Sequence, residues 1–197
     1  PYLPIDPADV GRQYEPIIRI NSQSGKGGAA FVMQNAFGYN LPKAMHPEFG
    51  ALVKAECDRI GRELTAQELF DVFRTHYLEV PATYSLAGHS VFEERAGGDV
   101  LFRGAIVQGG KEQAVEAAGN GPIDAFFSAL KQVGVVDYHF ISYHEHAIST
   151  GSDSKAIAYI ELKNPAGETV FGVGIASNIN KASILGVLSA INRSCVK

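Results

Sequence analysis

Gly119-Asn120-Gly121-Pro122-Ile123-Asp124-Ala125 forms a tight turn that runs straight into an amphipathic helix and leaves that helix's first turn free. The two glycines admit backbone conformations closed to other residues and let a ligand come close to the main chain, while Pro122 suits the first helical position. The first amides of a helix have no intrahelical acceptor, and the summed peptide dipole places about half a positive charge there, so such an end suits a carboxylate. The same turn also serves simply to start a helix. Its surroundings decide which reading has force.

The pattern occurs twice. Residues 113–118 read as a strand before the turn, and Ile123, Phe126, Phe127 and Leu130 lie on one stripe of the helix after it. Further on come a strand over residues 169–175, the turn Ala176-Ser177-Asn178, and a helix with Ile184, Leu185, Leu188 and Ile191 on one stripe. Both stripes have the spacing of a single buried helix face. Residues 100–107 read as a strand by alternation and 156–162 by apolar content; 85–94 and 138–146 carry weaker strand patterns. The chain from about Ala82 onward therefore predicts an α+β fold of two strand-strand-strand-helix units related by a pseudo-two-fold axis, with helices on one face of antiparallel sheets. Equivalent helix N-termini would then face a shared interface, where a small molecule could be gripped from both sides. A plain α+β core with helices covering sheets needs the same pattern.

With 197 residues, 46 % of them hydrophobic, the chain can bury a substantial core as one domain or two small ones. The net charge is -4 and Lys and Arg form no cluster longer than a pair, which argues against nucleic acid or an acidic membrane as a partner. No apolar run approaches a membrane span. Cys57 and Cys195 have neither metal-type spacing nor a disulfide framework, so a reducing, cytoplasmic setting is expected. The opening Pro1-Tyr2-Leu3-Pro4-Ile5-Asp6-Pro7, without an initiating Met, reads as a piece of a longer chain.

The first third differs in character. Residues 17–20 alternate like a strand, Asn21-Ser22-Gln23-Ser24-Gly25-Lys26-Gly27-Gly28 follows, and residues 29–33 predict a second, apolar strand. Lys26 among glycines does not make a phosphate loop, because that motif needs Gly-Lys-Ser/Thr and Gly27-Gly28 stands here instead. Two readings of this loop remain: a glycine-rich nest for another anion, and a flexible hairpin connection. Past Pro47, Phe49, Leu52, Val53 and Ile60 make a helical stripe, and Thr65-Ala66-Gln67-Glu68 is a capping box opening a helix with Leu69, Phe70 and Phe73. Pro81 breaks the pattern, placing a boundary within 80–83. His144 and His146 would share a strand face, but no third ligand follows at metal spacing. No nucleophile motif or close acid pair stands out, so the residues themselves describe a binding or regulatory module.

Several stretches resemble the C-terminal half of the 2-isopropylmalate synthases. They are Tyr2-Leu3-Pro4-Ile5-Asp6-Pro7 with Asp9-Val10-Gly11-Arg12, Arg19-Ile20 leading into Asn21-Ser22-Gln23-Ser24-Gly25-Lys26-Gly27-Gly28, Gly119-Asn120-Gly121-Pro122, and Gly172-Val173-Gly174-Ile175-Ala176. The resemblance covers essentially the whole chain in the same order. It implies a linker subdomain of α/β character over residues 1–81 and a leucine-binding, dimer-forming regulatory domain over 82–197. The family condenses acetyl-CoA with 2-oxoisovalerate, the first committed step of leucine biosynthesis, in a (β/α)8 barrel that holds a divalent metal. His144-Glu145-His146-Ala147-Ile148 does not match that metal motif. The resemblance thus implies no metal or cofactor in this stretch, and no condensation activity from it alone.

Carried over residue by residue, Tyr2 matches a linker tyrosine that assists catalysis only in the intact enzyme. The leucine pocket maps onto Gly119, Asn120, Gly121, Pro122 and Ile123 at the first helix start, with Tyr143, Ala147, Ala156 and Ile175 from the second unit. Glycine amides suit the carboxylate, and Ile, Ala and Tyr walls suit an isobutyl group. Asp124 has two readings, a partner for the ammonium group or an acid complementing the helix dipole. Ser154 stands where a small apolar wall residue is expected. The alternatives are the regulatory domain of a citramalate or homocitrate synthase, with isoleucine or lysine as effector, and a free-standing amino-acid-binding module.

Overall fold

The computed structural model describes residues 27–148 and 154–196. Tyr2, the strand expected at 17–20 and most of the 21–28 loop lie outside them. In the described residues the chain begins with helices α1 (Gly28–Phe37), α2 (His46–Ile60) and α3 (Ala66–Phe73), the last running on into a π-helical turn (Arg74–Leu78). Then β1 (Tyr84–Glu94), β2 (Val100–Gln108) and β3 (Lys111–Gly119) lead to α4 (Pro122–Lys131), and β4 (His139–Ala147), β5 (Ala156–Lys163) and β6 (Thr169–Ala176) lead to α5 (Ile179–Cys195). Each unit is an antiparallel sheet in sequence order, β1-β2-β3 and β4-β5-β6, so the expected α+β architecture of two strand-strand-strand-helix units is present.

The strand predicted for residues 29–33 is helical. Ala29, Ala30, Val32 and Met33 are all buried, and that spacing fits one face of a helix where a strand would bury every second residue. Gly38 ends the helix in the left-handed region at φ 73°, its amide and that of Tyr39 returning to the carbonyls of Gln34 and Met33. Short apolar runs are ambiguous by periodicity, and the alanines favour the helix. The α/β character expected of the first segment is thus helical throughout its described part. The capping box is formed. Thr65 Oγ1 accepts from the Glu68 amide at 3.3 Å while the Glu68 carboxylate accepts from the Thr65 amide at 2.9 Å. Hydrogen bonds from Arg62 and from that amide hold the Glu68 carboxyl down at about 2.

The two sheets are covered differently. In sheet 2, Ile157, Tyr159, Phe171 and Val173 face the helical segment and join its core around Phe49, Phe73 and Tyr77, while Ala158, Ile160 and Leu162 face α5. Along β5 and β6 both faces are largely dry, which is why these strands read as continuous apolar runs, whereas β4 at the sheet edge is mostly exposed. Sheet 1 buries one face, with Phe102, Ile106 and Val115 against Phe126 and Leu130 of α4. Its other face carries exposed Arg103 between Glu93 and Glu116.

α5 lies directly on the backbone of β6. A Cβ built on Gly172 would stand 2.2 Å from the Gly186 carbonyl oxygen, and one on Gly174 would stand 2.0 Å from that of Ala182. The outer edge of β6 is closed by α5 side chains. Ser189 Oγ accepts from the Val173 amide at 3.2 Å, and the Arg193 guanidinium donates to the Phe171 carbonyl. Arg193 also pairs with Glu48 at 2.7 Å and lies 4.1 Å above the Tyr77 ring, whose hydroxyl donates to the same Glu48 oxygen at 2.7 Å. This ties α2 and the π-helical turn to α5. Gly174→Ala is expected to lower the melting temperature by roughly 2–12 °C, since overpacking costs about 1–3 kcal/mol and each kcal/mol moves a chain of this size by about 2–4 °C. A thermal melt by circular dichroism measures it.

Candidate functional site

The turn at 119–121 delivers the chain from β3 into α4 with a helix start that carries no side-chain cap. Gly121 is the N-cap residue, in extended backbone at φ -170°, and Pro122 fills the first position. The Ala125 amide bonds the Gly121 carbonyl at 2.9 Å, while the amides of Ile123 and Asp124 have no hydrogen-bond acceptor among the described residues. The Asp124 carboxylate folds back to accept from the Asn120 amide at 2.9 Å. That bond fits its reading as an acid complementing the helix start and uses one oxygen of an exposed side chain. Gly119 is required by packing: a Cβ there would lie 2.4 Å from the Ala125 nitrogen.

The corresponding start of α5 is closed. Asn178 is its N-cap residue, and the side-chain oxygen accepts from the amides of Asn180 at 2.8 Å and Lys181 at 3.3 Å. The repeat is therefore symmetric in topology and unequal in chemistry, with one open helix start and one capped.

The remaining residues expected at the site fall on sheet 2. Ala147 pairs with Ala156 and Ala156 with Ala176, one row of alanines across the end of the sheet. Tyr143 pairs with Ile160 on the same face, is 46 % exposed, and has its ring 6.3 Å from that of Phe140. Ile175 pairs with Ile157, whose face is the one turned to the helical segment, so Ile175 stands across β6 from the alanine row. No hydrogen bond or ring contact among the described residues joins Gly119–Asp124 to Tyr143 or Ala147. Ser154 is exposed next to β5. His144 and His146 do share a face. His146 Nε2 accepts from the Asn40 amide and from the Tyr159 hydroxyl, both at 3.1 Å. Burial pushes that hydroxyl well above the usual phenol range, keeping it a donor. Among the described residues no third His, Cys, Asp or Glu completes a metal site.

Two features escaped the sequence reading. One is a cavity of about 310 Å³ between β6, α5 and the segment leading into β1, walled by Leu78, Val80, Leu86, Ile175, Leu185 and Leu188 among others, with no charged residue in its lining. The other is the polar edge of α5. Ser189 Oγ donates to the Tyr77 carbonyl at 2.6 Å, and the Asn192 amide both accepts from the Tyr84 N–H and donates to the Tyr84 carbonyl, at 2.8 Å each. The signal was there: Ser189, Asn192 and Arg193 lie three and four apart, a polar edge on a helix whose middle is otherwise mostly apolar.

Two βββα units sharing one helix-lined core, one with an open helix start, make a two-repeat α+β domain. Residues 63–195 match the family described as the LeuA allosteric (dimerisation) domain, and the chain belongs to that family. Residues 1–34 match the alpha-isopropylmalate synthase post-catalytic domain-like family. The chain is 46 % identical to 2-isopropylmalate synthase of Clostridium acetobutylicum over all of its own length and 36 % of that protein. It is 42 % identical to the enzyme of that name from Pseudomonas entomophila and 39 % to that from Acetoanaerobium sticklandii, in each case over 98 % of this chain and 34 % of the relative. The chain thus spans about a third of the relatives it matches, corresponding to their C-terminal part. Among the described residues no helix is long and apolar enough to cross a membrane.

The two glycines of the turn separate cleanly in a stability measurement. Gly119→Ala should cost about 1–3 kcal/mol, as overpacking against the backbone does. Gly121→Ala, with nothing within 4 Å of the new carbon and an ordinary extended φ, should shift urea unfolding by less than about 0.5 kcal/mol.

Proposed function

We propose that this chain is the leucine-responsive part of a 2-isopropylmalate synthase, in which residues 1–81 are the linker and 82–197 the regulatory domain. Leucine binds with its carboxylate on the free amides of Ile123 and Asp124, its ammonium group toward the other oxygen of Asp124, and its side chain against Ile123, Tyr143, Ala147 and Ala156. The observation that carries this reading is the unequal pair of helix starts: a glycine stands where α5 has a capping asparagine, and the donors it leaves free suit a carboxylate. The names of the relatives favour leucine over the isoleucine or lysine of the citramalate and homocitrate alternatives. The chain works in the cytoplasm as a homodimer, a state supported by the dimerisation description of its family. Binding would slow the condensation of acetyl-CoA with 2-oxoisovalerate in the intact enzyme.

Two substitutions test the two halves of the site by calorimetry. Gly121→Ser supplies the missing cap at a position with room for it, so the fold should keep its melting temperature. Leucine affinity should nonetheless fall about tenfold or more, because the new hydroxyl competes for the carboxylate's amides. Ala147→Phe on the exposed end of β4 should weaken leucine by roughly ten- to a hundred-fold, the value of burying its side chain. Unchanged leucine affinity in both folded variants would place the site elsewhere. In light scattering at tens of micromolar the chain should have twice its monomer mass of 21.1 kDa; a monomer there contradicts the homodimer.

A further inference from the structure

We propose that α5 is the coupling element between the effector site and the helical segment, acting through the strap of residues 77–84 that Ser189 and Asn192 hold. The proposal rests on the leucine-binding reading of α4 and β4.

With 17 residues, α5 is about 25 Å long. Near its start, Ala182 is buried with Ala158 and Ala176, and Ile179, Leu185 and Ala156 pack against them, in the alanine row that continues to Ala147. In its middle, Leu185 and Leu188 wall the cavity beneath the strap. Towards its end, Ser189 and Asn192 hold the strap at Tyr77 and Tyr84, and Arg193 pairs with Glu48 of α2. One rigid helix therefore touches the proposed effector wall at one end and the helical segment at the other. Leu185 belongs to both the alanine cluster and the cavity wall.

Packed elements do not deform continuously; they switch between discrete arrangements, and a switch needs room. The cavity provides it. Its lining has no charged side chain, and of its polar side chains Asn192 is spent on Tyr84 and Ser189 on Tyr77 and Val173. Within the strap, residues 80–83 make no backbone hydrogen bond among the described residues, and its anchors are the α5 side chains. A shift of α5 when leucine occupies the alanine row would move both anchors together. Ser189 and Asn192 are thus positioning residues for regulation, remote from the ligand.

Amide hydrogen exchange read by NMR on the chain, with leucine binding measured by calorimetry on the same sample, tests this. Saturating leucine should slow exchange at Ile123 and Asp124, which it contacts, and change exchange within residues 77–84 by about fivefold or more, the lower end of ordinary allosteric coupling. In Asn192→Ala the change at Ile123 and Asp124 should persist with leucine affinity within severalfold of the parent, while the leucine-dependent change across 77–84 disappears. A merely structural Asn192 would speed exchange in the strap without altering its response to leucine. The proposal is overturned if leucine binds the parent chain and exchange at 77–84 does not move, or if the response survives in Asn192→Ala. Absence of binding heat together with unchanged Ile123 and Asp124 sinks the effector reading itself, and the coupling with it.

Discussion

The structure depends on the direct approach of a helix to a strand. Gly172 and Gly174 of β6 leave no side chain between that strand and α5, and Gly186 answers from the helix, so backbone meets backbone. At that separation the helix can use short side chains to reach past the sheet edge. Ser189 and Arg193 satisfy edge groups of β6 that would otherwise invite a foreign strand. Asn192 bonds both main-chain groups of Tyr84 as a neighbouring strand would, and so fixes where β1 begins. A bulkier residue at either β6 glycine would displace all three contacts together.

The same geometry makes the helical segment part of the regulatory fold rather than an appendage. Its core is completed by Tyr159 and Phe171 from sheet 2, and its polar seal is the Tyr77-Glu48-Arg193 cluster, in which the cation is 14 % exposed and the carboxylate 25 %. Burial is the main cause that raises the Tyr77 hydroxyl far above the usual phenol range, so it stays a donor to Glu48 at any physiological pH. Such a half-buried pair adds orientation more than net stability, because desolvation offsets much of its attraction. Among the described residues no helical segment covers the outer face of sheet 1, which keeps a solvated arginine between two glutamates.

Much of this was legible in the residues, for identifiable reasons. The βββα repeat showed because each helix carries one apolar stripe, and each stripe follows a turn rich in Gly, Asn or Ser. The capping box at Thr65 and Glu68 was readable because its chemistry is local. Residues 29–33 misled because a five-residue apolar run fits either period, and only the burial of adjacent Ala29 and Ala30 decides for helix. The boundary near Pro81 marks a real change from helix to strand, yet the packing of Tyr77 and Phe73 on sheet 2 crosses it, and long-range packing leaves no mark in a local pattern. At the candidate site, the open start of α4 was legible from Gly121 and Pro122. The position of Ile175 across the sheet from Ala156 was not, since it depends on strand register.

The inequality of the two helix starts bears on stoichiometry. A duplicated unit whose copies had stayed alike would offer two anion-accepting helix ends per chain, and ligand counts would follow the number of repeats. Asn178 occupies one of those ends with its own side chain. In the second unit α5 is the longer helix, 17 residues against 10, and holds its neighbours in place, while the first unit keeps its helix start uncapped. If leucine binds as proposed, that division of labour entails saturation at one effector per chain despite two repeats.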